Sequence, residues 1–182
     1  MNLNTKIKNK EIKVFIAGCG YTGYPLAKLI SKNRIKVVGY DIDKDLIKKL
    51  NSLEIKNPYI KFTDKISSLK NSDIILISLP TPLTKNLDPD ISSIENFLLK
   101  SKKFLKKNQL MILESTTYPG TTDEVIKPFI EKSNFILGKN YYLGYSPERI
   151  DPGRKIELNG IPKLCSGTTL KCKELIYSFF KI

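Results

Sequence analysis

The stretch IKVFIAGCGYTGYPLAKLI, residues 12–30, decides the fold. Its first six residues are an apolar, β-branched run, the composition of a buried parallel strand. Gly18, Gly20 and Gly23 follow at once, and from about Gly23 to Asn33 the apolar residues recur at helical spacing. A strand, a glycine turn and a helix in direct succession are the opening unit of a doubly wound α/β sheet. In such a unit the first glycine permits the tight turn. The second lets the backbone approach a pyrophosphate, and the third lets helix and strand pack closely. Tyr21 and Thr22 sit between them at the helix start, where unpaired N–H groups favour phosphate.

Outward from this unit the same alternation continues. Ile35–Tyr40 reads as a second strand, and Asp43–Asn51 as a helix with Ile42, Leu46, Ile47 and Leu50 on one face. Glu54–Asn71 is looser, Pro58 marking a loop in its first part. Ile74–Leu79 is a third strand, ended by Pro80. A helix follows near Ser92–Lys106, with Ile94, Phe97, Leu98 and Leu105 as core positions. Gln109–Glu114 reads as a fourth strand, Thr121–Lys132 as a helix interrupted by Pro128, and Tyr141–Tyr145 as a fifth strand. Asp151–Pro162 is a Pro/Gly-bearing excursion, Lys163–Ser166 a sixth strand and Thr169–Ile182 a terminal helix. Right-handed crossovers give a Rossmann-type parallel sheet in the order 3-2-1-4-5-6 over residues 12–182, preceded by a polar extension, 1–11. The terminal helix ends on Phe179, Phe180 and Ile182, an apolar surface that calls for a cover.

Bulk composition narrows the function classes. With 182 residues and 41% hydrophobic content, the chain is one domain with a substantial core. A formal charge of +13 would suit a polyanion, but nearly all of it is lysine, spread along the chain. No basic stripe carries interleaved aromatics, so a nucleic-acid partner is not expected. The three cysteines form no CxxC pair and there is no histidine, so no metal site is expected. A reduced, cytoplasmic setting follows. The N-terminus has no apolar signal region, and no apolar stretch reaches the ~18–20 residues of a membrane span.

About twenty residues past the glycine loop, the second strand ends at Asp41, where a carboxylate accepts hydrogen bonds from a ribose. It also repels a 2′-phosphate, so NAD is expected over NADP. LPTPL after the third strand and ESTTYPGTT after the fourth stand at the carboxyl ends of strands, where such sheets bind ligands. Taken alone, each is equally a turn capped by threonines.

Together these strings acquire a family likeness. GCGYTGYPLA, YDID, LPTPLTKNLDPDIS, LESTTYPGTTDEV and YSPERIDPG, spread from Lys13 to Gly167, resemble the UDP-sugar 6-dehydrogenases in order and spacing. The STTYPGTT and SPERxDPG wording is most similar to the UDP-N-acetylglucosamine 6-dehydrogenases. The resemblance implies oxidation of the C6 hydroxymethyl of a UDP-N-acetylhexosamine to the uronate with NAD, as a precursor for surface polysaccharide. It implies cofactor contacts at Gly18, Gly20, Tyr21, Thr22, Gly23, Asp41, Thr81 and Thr116. Thr116 matches a threonine that positions a catalytic water or lysine. Glu148 matches a glutamate lining the active site, and Arg149 joins it on the substrate side. A homodimer is implied for the full-length family.

Two departures stand out. Some members carry a second glutamate four residues after the first, where this chain has Pro152. The family nucleophile lies in a Gly-x-Cys-x-Pro-Lys-Asp string, and this sequence contains none. The central helix and UDP-binding domain are likewise expected to be missing, leaving a chain inactive on its own. Aldehyde oxidation needs a thiolate to form a thiohemiacetal, and Cys19, Cys165 and Cys172 fit small apolar positions instead. The rival readings are a UDP-glucose 6-dehydrogenase domain, a β-hydroxyacid dehydrogenase and a non-catalytic NAD-binding module. The second of these leaves PTPL and SPER unexplained.

Overall fold

The computed structural model describes residues 2–147 and 162–182. Seven strands form one sheet: β1 (Lys13–Ala17), β2 (Lys36–Tyr40), β3 (Ile60–Thr63), β4 (Ile74–Ile77), β5 (Leu110–Leu113), β6 (Tyr142–Tyr145) and β7 (Ser166–Gly167). Their order is β3-β2-β1-β4-β5-β6-β7, parallel throughout except for β7. The doubly wound class expected from the sequence holds.

One strand changes the sheet order. The expected third strand, Ile74–Leu79, forms β4 over Ile74–Ile77 and lies beside β1 rather than beside β2, with Val14 opposite Ile74. The place next to β2 belongs to β3, inside the stretch that sequence patterning leaves loose. β3 is four residues long with only Ile60 and Phe62 buried, too short a period-2 signal to stand out beside Pro58. Of the expected sixth strand, Lys163–Ser166, only Ser166 is in a strand, the two-residue β7, which pairs antiparallel to β6.

Alternation along the strands feeds two cores. Val14, Ile16, Ile74, Leu76, Leu110 and Ile112 face α2 (Gly23–Lys32), α3 (Lys44–Leu53) and α6 (Leu170–Phe180). Phe15, Ile75, Ile77, Met111 and Leu113 face α4 (Ser92–Ser101) and α5 (Lys127–Glu131). Each fully buried Leu or Ile contributes about 1.5–3 kcal/mol. Asp43 caps α3 by accepting from the N–H groups of Asp45 and Leu46, and Thr169 caps α6 by accepting from Cys172. α4 stops at Ser101 with a 3₁₀ turn, so Leu105 is only half-buried. Pro128 stands in the first turn of α5, preceded by a π turn over Thr122–Ile126, which is the interruption expected there.

The N-terminal segment is not merely polar. It forms α1 (Leu3–Lys8), capped by Asn2, with Leu3 and Ile7 buried against α6. Lys6 pairs with Asp73 at 2.8 Å, and the Asp73 carboxylate also accepts from the Lys13 N–H at 3.0 Å. The terminal helix therefore has its cover: Phe179 is buried, and Phe180 and Ile182 pack against the same core. Sequence patterning misses this because two apolar residues among lysines and asparagines make too faint a helical stripe.

A candidate dinucleotide-binding cleft

The glycine loop links β1 to α2 at the carboxyl edge of the sheet. Gly18 has φ +90°, and a β-carbon there would stand 2.3 Å from the Ser78 carbonyl oxygen. A β-carbon on Gly23 would stand 1.9 Å from the Gly18 carbonyl oxygen, so this glycine sets how closely α2 packs on the loop. Gly20 differs: a β-carbon there meets no protein atom within 4 Å. Among the described residues nothing crowds that β-position, and its open side suits the close approach of a phosphate.

The loop borders a cleft of about 640 Å³. Gly18, Gly20, Tyr21 and Thr22 line it from the loop, and Asp41 lines it from the end of β2. Gly23 stays outside it, packed behind the loop. The Asp41 carboxylate accepts from the Cys19 N–H at 2.8 Å and from the Asp43 N–H at 3.1 Å. Each oxygen has lone pairs left over, so the group can still accept from a ribose hydroxyl. Asp41 thus anchors the loop and keeps acceptor capacity at the wall of the cleft.

The other wall is built from the ends of β4 and β5. The Thr81 hydroxyl donates to the Thr116 carbonyl at 2.5 Å, and the Ser115 hydroxyl donates to the Leu79 carbonyl at 2.7 Å. Both expected threonines therefore line one cleft and are tied together. Glu148 and Arg149, expected on the substrate side, and most of the Asp151–Pro162 excursion lie outside the described residues.

Sequence reasoning passed over one group. Glu114, at the end of β5, is 2% exposed, lines the cleft and accepts from the Lys163 ammonium. The signal was present: IILIS, QLMILE and YLGYS are apolar strands, each closing on a polar residue. Only tertiary structure brings Lys163 to it, 49 residues away in sequence.

Neither Cys19 nor Cys165 is prepared as a nucleophile. Burial, then the charge of Asp41, raises the Cys19 thiol far above its ordinary value. Burial also raises Cys165, with Lys163 pulling it down and Glu114 pushing it up. Cys172 is buried among hydrogen bonds from Leu143 N–H and the Thr168 and Thr169 hydroxyls. Among the described residues no acidic or cysteine group has the arrangement of a metal site, and no helix is long and apolar enough to cross a membrane.

Residues 55–181 match the family model of the UDP-glucose/GDP-mannose dehydrogenase family, NAD binding domain. The chain is 35% identical to the protein CapL of Staphylococcus aureus, over 90% of this chain and 41% of that protein. It is 35% identical to the UDP-N-acetyl-D-glucosamine 6-dehydrogenase of Pseudomonas aeruginosa, over 94% of this chain and 44% of that enzyme. Among solved structures, the UDP-N-acetyl-mannosamine dehydrogenase Cap5O of S. aureus superposes with a TM-score of 0.81 at 29% identity, over 92% of this chain and 45% of that one. The chain thus spans a little under half the length of these relatives. A glycine loop open at Gly20, an acidic strand end and these matches agree: the chain belongs to the UDP-glucose/GDP-mannose dehydrogenase family and carries its NAD-binding domain.

Proposed function

We propose that the chain is the NAD-binding half of a dehydrogenase that oxidises C6 of a UDP-N-acetylhexosamine to the uronate for surface polysaccharide precursors. The observation that carries this reading is the single cleft shared by the glycine loop, Asp41, Thr81 and Thr116. The 35% identity to a UDP-N-acetyl-D-glucosamine 6-dehydrogenase, together with the STTYPGTT and SPER strings, supports the choice of sugar.

When bound, NAD supplies the hydride acceptor; the residues of this chain hold and orient it. Gly20 leaves room for the pyrophosphate, and Tyr21 and Thr22 flank it at the start of α2. Asp41 accepts from the adenosine ribose and disfavours a 2′-phosphate. Thr81 and Thr116 hold the far wall, Thr116 positioning a catalytic water or lysine. Glu148 and Arg149 serve the substrate side. The protein works in the cytoplasm, as a homodimer when joined to the rest of the enzyme, with no nucleic-acid partner.

A chimera tests this reading. The chain is fused to the remaining part of the P. aeruginosa UDP-N-acetyl-D-glucosamine 6-dehydrogenase, and NADH formation is followed with UDP-N-acetylglucosamine and UDP-glucose. Turnover favouring the acetylated sugar is expected. Preference for UDP-glucose would reassign the substrate, and a folded chimera that binds NAD without turnover would leave a non-catalytic module.

A further inference from the structure

The carboxyl edge of the sheet carries a polar row that the glycine loop does not explain. Extending the register Ile77–Leu113–Tyr145 by one residue sets Ser78, Glu114 and Ser146 abreast. They fall on the face that Leu76 and Ile112 share with α2 and α6. All three are at least nine-tenths buried. The Ser78 and Ser146 hydroxyls have no hydrogen-bond partner among the described residues. Ser78 and Glu114 both line the cleft.

Glu114 is joined to Lys163, whose ammonium also lies 4.9 Å from the centre of the Phe180 ring. A pair this buried is a poor device for stability, because desolvation offsets most of the attraction. Apolar residues of similar volume would hold the strand end as well. A buried hydroxyl beside the cleft with no partner among the described residues, together with a buried ion pair, points to a ligand.

Strand order says which part of the ligand. Asp41 follows β2 and Glu114 follows β5, three strand spacings or roughly 14 Å apart across the sheet. With the adenosine ribose at Asp41, the reading on which this inference rests, the nicotinamide half extends toward Glu114. The oxidised nicotinamide ring carries a positive charge and the reduced ring carries none. Charge at this end of the cleft therefore separates the two cofactor forms, whereas contacts to the shared parts act on both equally.

We propose that the Glu114–Lys163 pair is a specificity-determining element that sets the relative affinity of the cleft for NAD+ and NADH, the ammonium offsetting a carboxylate beside the nicotinamide site. The test is calorimetric titration of the chain and its variants with NAD+ and with NADH at fixed ionic strength, folding being checked by circular dichroism. Glu114→Gln leaves the ammonium, and should weaken NAD+ relative to NADH by about tenfold, the scale of one charge felt through a protein interior. The double variant Glu114→Gln/Lys163→Met removes both charges and should return the ratio to that of the parent. If Glu114→Gln fails to fold, Lys163→Met reads the same interaction with opposite sign. A pair that only holds the fold would move both affinities together, so a constant ratio in the folded variants overturns the proposal. If the parent fails to bind NAD+, the Asp41 reading falls with it. If Asp41→Ala weakens NAD+ while the ratio stays fixed in the pair variants, only the present proposal fails.

Discussion

Glycines 20 and 23 separate function from fold at the scale of one residue. A side chain on Gly20 enters space free of protein atoms, so Gly20→Val should keep the circular dichroism spectrum while abolishing NAD binding. A β-carbon on Gly23 meets backbone at 1.9 Å, so Gly23→Ala should lower the unfolding midpoint even without cofactor. Undiminished NAD affinity in Gly20→Val would move the cofactor elsewhere. Asp41→Ala removes charge-assisted acceptors and should weaken NAD by ~1–3 kcal/mol while narrowing the gap to NADP. Dissociation constants for both cofactors decide it, and equal affinities in the parent would contradict the assigned role. Asp41 also anchors the Cys19 N–H, so an accompanying loss of stability is expected.

At the scale of elements, α1 and β3 show how faint patterns become structure. α1 lies near the amino end of the sheet, where Asp73 binds both Lys6 and the Lys13 N–H, opposite the edge that carries the cleft. Ile7 is fully buried, so Ile7→Ala should cost about 2–5 kcal/mol in urea unfolding. NAD affinity measured on the folded variant should not change. A large loss of affinity would mean that α1 is coupled to the cleft through α6. The glycine-loop unit, by contrast, was legible outright: a contiguous apolar run, three glycines and a helical period require no distant partner to be recognised.

For the molecule as a whole, the described residues that line the cleft include no cysteine. We expect no NADH from UDP-N-acetylglucosamine, UDP-N-acetylmannosamine or UDP-glucose with this 182-residue chain, assayed by absorbance alongside NAD binding. The sequence lacks the Gly-x-Cys-x-Pro-Lys-Asp string, and burial keeps the Cys19 thiol protonated. The chain spans under half the length of these relatives, and holding a substrate in reacting geometry is worth up to ~7–11 kcal/mol. Turnover that disappears on changing Cys165 or Cys172 would make one of them the nucleophile.

By itself the sequence determined the sheet class, the glycine loop, the acidic strand end and the strings that carry the family likeness. All of these are encoded in contiguous residues, where local sterics and periodicity act. Tertiary structure decided what depends on distant neighbours. It inserted β3 beside β2, because a four-residue edge strand is selected by pairing with Val37–Tyr40 rather than by its own pattern. It folded α1 onto α6, because Leu3 and Ile7 gain only when that face is there to bury them. It brought Lys163 to Glu114, because a carboxylate buried at a strand end requires a cation that no local spacing supplies.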